Sequence, residues 1–218
     1  MTRSEVVHKV KTMLEELSPF EEPSALLAVP NNDVKPVESY IQDTLNKAFD
    51  DVLMFAPLHL VRTTVSTPNS ISITVDDGVG YMNQPTDYLR LHTMLVKGWS
   101  RPVKAAISSE HPNYLLQRDS YTRGGCVKPV VAVNDSTIEL YSVPDNPEVE
   151  VFKYIPRTTH TAIQGTNPTQ YTDDTFEDTL VEFLIYQDAI NILRIFEQFD
   201  KAKTLEKKLE ELVTQHAI

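Results

Sequence analysis

The sequence predicts an α+β fold in a single domain of residues 1–218, a helical bundle built from both chain ends with an antiparallel β-rich region inserted between them. Two observations lead there. The first is the placement of charge. Residues 1–57 carry 5 positive and 10 negative groups and residues 156–200 carry 2 and 8, whereas 58–155 is nearly balanced at 9 against 10. The second is periodicity: the acidic flanks repeat apolar residues at helical spacing, and the middle alternates them. The helical layer is assigned to 1–57 and 175–218, the β-rich insertion to 58–155, and extended arms to 18–36 and 156–174.

The first helix is expected near 4–17. Val6, Val7, Val10, Met13, Leu14 and Leu17 fall on one face, and Ser18-Pro19 ends it. Pro19, Pro23, Pro30 and Pro36 then keep 18–36 out of any regular element, with Leu26, Leu27 and Val29 as its apolar anchors. A second helix over 37–55 holds Val37, Tyr40, Ile41, Leu45, Ala48, Phe49, Val52 and Leu53 on one face. It stops at Ala56-Pro57, because the residue before proline is pushed out of the α region.

In the middle, Ile71, Ile73 and Val75 alternate with polar residues, and Asp76-Asp77-Gly78 predicts a hairpin turn into 79–82. Further short strands are expected over 91–97, 103–107, 129–133, 137–143 and 149–154. Turns at Asn134-Asp135-Ser136 and Pro144-Asp145-Asn146-Pro147 separate the later ones, which suits an antiparallel meander or small barrel. Residues 156–174 are polar and aperiodic. From 176 to 199 apolar residues run nearly all round a helix, which places it at the centre of the bundle, with Asp173, Asp174 and Thr175 as its N-terminal signals. A last helix over 201–215 has a narrow stripe of Ala202, Leu205, Leu209, Leu212 and Val213, a surface pattern rather than a coiled coil.

Composition narrows the function. The net charge of -11 argues against a protein that binds nucleic acid by neutralising phosphates. No stretch approaches the roughly 18 apolar residues of a membrane span, and Met1-Thr2-Arg3-Ser4-Glu5 opens no secretory signal. One cysteine excludes an internal disulfide framework and a multi-cysteine zinc site. Six glycines beside 14 prolines are too few for most phosphate-cradling loops. Gly78 and Gly80 form G-x-G without the third glycine, since position 83 is Asn, and a hairpin turn explains them. The histidines (His8, His59, His92, His111, His160 and His216) stand at no metal-ligand spacing. Asp76-Asp77 and Asp173-Asp174 are accounted for by a turn and a helix start. Arg123-Gly124-Gly125-Cys126 sets an arginine near the thiol, but with no base or second cysteine it reads as a loop with a packed thiol. No catalytic residue, cofactor site or metal site is assigned.

One stretch stands apart: Pro85-Thr86-Asp87-Tyr88-Leu89-Arg90-Leu91, followed by Trp99-Ser100-Arg101-Pro102-Val103. On packing grounds alone it is a short turn followed by a strand, with the single tryptophan, Trp99, as a core anchor. The stretch also resembles the P-x-D-[FY]-L-R-L … W-x-R-P-V pattern of ring, or head–tail adaptor, proteins of short-tailed bacteriophages, with the crAss-like phages of gut bacteria as the nearest group. The layout is similar too. A helix pair ends at Ala56-Pro57-Leu58 before a β insertion, and a closing helix carries Tyr186-Gln187-Asp188-Ala189-Ile190, like the Y-x-x-A of that family. The long 156–174 loop departs from the pattern.

The resemblance implies a non-enzymatic virion component of the tail or neck, made in the host cytoplasm. About a dozen copies form a ring that contacts the portal and other tail proteins, and double-stranded DNA passes through without sequence-specific binding. It makes Asp87, Arg90, Trp99 and Arg101 the motif residues. If Pro85 opens a helical turn, Asp87 caps its N-terminal end. Arg90, one turn on, then completes a structural clamp within the chain or between subunits. The arms, anchored through Leu26, Leu27 and Val29, are expected to reach beyond their own subunit. The competing readings are a cytoplasmic protein-binding module and a small hydrolase.

Overall fold

The computed structural model describes residues 1–17, 36–66, 71–157, 176 and 178–217. In chain order its elements are α1 (Arg3–Glu16), α2 (Val37–Phe55), β1 (Thr64–Val65), β2 (Thr74–Asp76), β3 (Val79–Asn83), β4 (Tyr88–Val96), β5 (Ile107–Ser108), α3 (Pro112–Arg118), β6 (Val130–Asn134), β7 (Thr137–Tyr141), β8 (Val149–Pro156), α4 (Asp178–Ile195) and α5 (Phe199–His216). The fold is α+β with helices at both chain ends. It divides into two compact units, Met1–Val61 with Thr158–Ile218, and Arg62–Arg157. The expected arms, with Leu26, Leu27 and Val29, and the helix-start signals Asp173, Asp174 and Thr175 lie outside the described residues, apart from the arm ends at Pro36, Pro156 and Arg157.

In the helical unit α4 packs against α1, α2 and α5. Its buried residues Leu180, Val181, Phe183, Leu184, Ile185, Ala189, Ile190, Ile192 and Leu193 cover most of its circumference, as a central helix requires. α1 begins at a capping box: the Glu5 N–H donates to Thr2 Oγ1, and the Thr2 N–H donates to the Glu5 carboxylate at 2.8 Å. α2 buries Ile41, Leu45, Ala48, Phe49, Val52 and Leu53, and ends where Ala56 turns extended (ψ 146) ahead of Pro57.

The expected helix over 176–199 is in fact two elements. α4 closes in a Schellman motif, in which the Gln198 N–H donates to Leu193 O at 2.8 Å and the Glu197 N–H to Arg194 O at 3.1 Å. Glu197 takes the left-handed position (φ 58). The apolar run misleads there because Ile195 and Phe199 face solvent, so α5 starts two residues earlier than expected.

In the β unit a five-stranded sheet, β2-β3-β7-β6-β5, accompanies a three-stranded one, β1-β8-β4. Met82, Val131, Ile138 and Leu140 of the first and Leu91, Met94 and Phe152 of the second share one core. The β2–β3 hairpin turns on Asp77 and Gly78, both at positive φ (44 and 69), as a two-residue primed turn demands. The unit is not wholly antiparallel: β5 runs parallel to β6. A parallel pair needs a long crossover, and residues 109–129, which include the unanticipated α3, supply it. Of the expected strand over 103–107, only an isolated bridge from Val103 to Met94 and the start of β5 form. No helix among the described residues is long and apolar enough to cross a membrane.

Candidate functional site

The motif of residues 85–101 is built into the frame of the β unit. The Tyr88 N–H donates to Pro85 O at 3.0 Å, closing a tight turn that leads straight into β4. No helical turn forms, so Asp87 does not cap one. Its Oδ1 accepts the Tyr154 hydroxyl of β8 at 2.9 Å instead. Burial, and then the Asp87 carboxylate, push the Tyr154 hydroxyl pKa up; burial raises that of Tyr88 to about 12. The rings of Tyr88, Tyr154 and Phe152 follow one another at 5.8 and 5.2 Å, so the Asp87 bond fixes the middle ring of an aromatic row.

β4 is bulged in three places, between Tyr88 and Arg90, Leu91 and Thr93, and Leu95 and Val96. The bulges bring Tyr88, Leu91 and Met94, three apart in sequence, into the same core. Arg90 is half-buried on β4 opposite Ile155, and desolvation lowers its pKa. With Lys104 and Lys153 it forms a positive face. Burial first, and then these three charges, lower the pKa of His92.

Trp99 is the core anchor of the motif. It is 7% exposed, it follows Gly98 at φ 97, and its Nε1–H donates to Ser142 O at 2.9 Å. Ser142 presents that carbonyl from a left-handed backbone (φ 65). Arg101 and Cys126 are both exposed. The thiol is therefore not packed, as its residue type suggested, and Arg123 does not face it. The Arg123 guanidinium turns to the β2–β3 hairpin, donating to the backbone oxygen and Oδ2 of Asp77.

Two carboxyls to which the sequence assigned no role are buried with polar partners. In the β unit the Glu139 carboxylate accepts the Tyr141 hydroxyl at 2.6 Å and the Tyr114 hydroxyl at 3.1 Å. The Arg118 guanidinium lies 5.5 Å over the Tyr114 ring. Burial, and then Glu139, raise the pKa of both tyrosines. This cluster fastens α3 to β7. In the helical unit Asp188 has no exposed surface. Its Oδ1 lies 2.7 Å from Thr44 Oγ1, and its Oδ2 has no partner. Desolvation raises its pKa to about 7 against the pull of the Thr44 hydrogen bond and the charge of Arg3. Arg3, itself buried, donates to Asn46 Oδ1 and Gln42 O at 2.8 Å each.

The sequence signal for both was an acid inside an apolar run, Ile138-Glu139-Leu140 and Asp188-Ala189-Ile190. Glu139 is 3% exposed and Asp188 not at all, and each ties one element to another. Neither acid lines either of two open grooves: one of about 590 Å³ on α4 and α5 is lined by Gln187, Ile190, Arg194, Glu206, Leu209 and Val213, and one of about 270 Å³ beside Met82 and Pro85 is edged by Ser66, Ser72 and Gln84. Among the described residues no three His, Cys, Asp or Glu side chains gather as metal ligands. No protein-family model matches the chain, and neither does any curated protein.

Proposed function

We propose that the chain is a structural virion subunit, a ring-forming head–tail adaptor of a short-tailed bacteriophage that sits below the portal in about a dozen copies. In this reading genome DNA passes through the ring, and the subunit performs no catalysis. The observation that carries it is how the motif of the resemblance is used. Pro85, Asp87, Tyr88, Leu91 and Trp99 serve a turn, a core and two hydrogen bonds of the β unit. That suits a motif that preserves the shape of a subunit rather than a reaction. The closing helix α4, with Tyr186-Gln187-Asp188-Ala189-Ile190, is the element around which both chain ends gather. The acidity is of the right sign as well, because a wall that does not neutralise phosphates does not hold a duplex by counterion release.

Sedimentation and negative-stain imaging of the purified protein test the proposal. Closed rings with a central hole are the expected result. A chain that stays monomeric at all concentrations, and that is missing from purified virions, refutes it.

A further inference from the structure

The five-stranded sheet has two apolar faces, and they are covered unequally. Met82, Val131, Ile138 and Leu140 look into the core shared with the second sheet. On the opposite face stand Val79, Ala132 and Tyr141, with Tyr81, Ile107 and Val130 partly buried around them. Among the described residues of that second cluster, the side chain that comes from outside the sheet is Tyr114 of α3.

The segment that carries Tyr114 is thinly attached. Of the fifteen residues from 109 to 123, twelve are exposed, all but Tyr114, Gln117 and Arg123. Its side chains reach the sheet at two points. The Tyr114 hydroxyl donates to Glu139 and accepts from Asn134 Nδ2 at 3.4 Å, with Arg118 above the same ring and toward Tyr141. The Arg123 guanidinium donates to Asp77 on the β2–β3 turn. The chain just beyond is fastened separately: Cys126 O accepts the Ser100 N–H at 2.9 Å, and the Cys126 thiol lies 3.5 Å from Ser142 O. Between the two attachments stand Gly124 and Gly125, the latter at φ 63, a pairing that suits a hinge. At the other end the His111 N–H turns back to Ser108 O at 3.0 Å ahead of Pro112.

Closing this segment has a cost as well as a gain. It buries one tyrosine, but it also shuts the Glu139 carboxylate away from water. Gln117 Oε1 and Arg123 Nε are left buried without a hydrogen-bond partner among the described residues. Opening hydrates all three. A segment with little buried apolar surface and orphaned polar atoms belongs to the least stable part of a fold.

We propose that residues 109–123 form a hinged flap over the outer face of the five-stranded sheet, latched by Tyr114 on Glu139 and by Arg123 on Asp77, which opens as a unit while both sheets stay folded. The flap works in the same way in a single chain and in a ring.

Thiol labelling tests it. With Cys126→Ser as the background, Ala132→Cys sets a thiol on the covered face and Val131→Cys sets one in the core between the sheets; neither position has exposed surface. In native buffer the Ala132→Cys thiol is expected to react with dithiobis(nitrobenzoate) about a hundredfold faster than the Val131→Cys thiol, at a rate nearly constant in low urea. The Val131→Cys reaction should follow global unfolding and rise steeply with urea. Tyr114→Phe and Arg123→Met each remove one latch, and each should speed the Ala132→Cys reaction by about tenfold without changing that of Val131→Cys. Equal rates and equal urea slopes at the two positions, or latch variants that speed both alike, overturn the proposal. Should either cysteine perturb the sheet, the parent chain answers the same question. Trypsin should cut after Arg118 at a rate independent of low urea, and cleavage there that tracks global unfolding overturns the flap as well.

Discussion

Asp188→Asn keeps the size of a fully buried side chain and removes its charge, which isolates the ionisation of the one carboxyl enclosed among the described residues of the helical unit. In the unfolded chain the Asp188 carboxyl titrates near 3.8, and in the fold burial holds it up to about 7. Between those values the unfolded chain has released the proton and the folded chain still holds it. Stability therefore falls as pH rises through this window, by about 1.4 kcal/mol per pH unit, and levels off above the folded value. Over the whole window the loss is about 4 kcal/mol. Between pH 5 and pH 8 it is about 2.5 kcal/mol.

The neutral form also suits the local bonding. The Thr44 hydroxyl has one hydrogen, and its oxygen lies 2.7 Å from Asp188 Oδ1 and 3.0 Å from Tyr40 O. A protonated Asp188 donates to Thr44 and frees that hydrogen for the Tyr40 carbonyl. An asparagine amide can do the same at every pH. Urea unfolding followed by circular dichroism, for parent and variant across pH 5 to 8.5, cancels the contributions of all other groups. The variant should gain on the parent by about 2–3 kcal/mol from pH 5 to pH 8 and then hold a constant lead. Parallel curves over that range would show that the carboxyl is ionised throughout, and the reasoning would fail.

Three further outcomes are expected. Glu197→Gly relieves a left-handed backbone in the Schellman motif and should raise the unfolding free energy by about 1 kcal/mol in the same assay; an unchanged or lower value counts against the motif. Trp99→Phe keeps a ring in the β core but removes the bond to Ser142 O, so a loss of about 1–3 kcal/mol is expected, while an exposed tryptophan in the parent, read from its fluorescence, would contradict the placement. Duplex DNA titrated in fluorescence anisotropy should bind no tighter than roughly 10⁻⁴ M at physiological salt, since the net charge repels phosphate; micromolar binding with a steep salt slope would refute a passive conduit.

Local chemistry alone placed a good part of this molecule. α2 occupies 37–55 as its apolar face and the Ala56-Pro57 stop required. The central position of α4 followed from apolar residues on nearly every face, and the primed turn from Asp77-Gly78, because only a few residue types accept positive φ twice in succession. Trp99 as a core anchor was legible for the same reason, since a single large apolar side chain has few other uses.

Contacts between residues far apart in the chain decided the rest. Tyr88, Leu91 and Met94 reach one core through bulges in β4 that exist only because β8, some sixty residues later, pairs with it. The same pairing gives Asp87 a tyrosine hydroxyl instead of a helix end. α3 has only seven residues, too few for a periodic signal, and Tyr114 holds it through Glu139 on a strand twenty-five positions away. Whether Asp188 carries a charge, and whether Cys126 is buried, depend on how completely neighbours exclude water, because a side chain's solvation is a property of everything packed around it rather than of its place in the sequence.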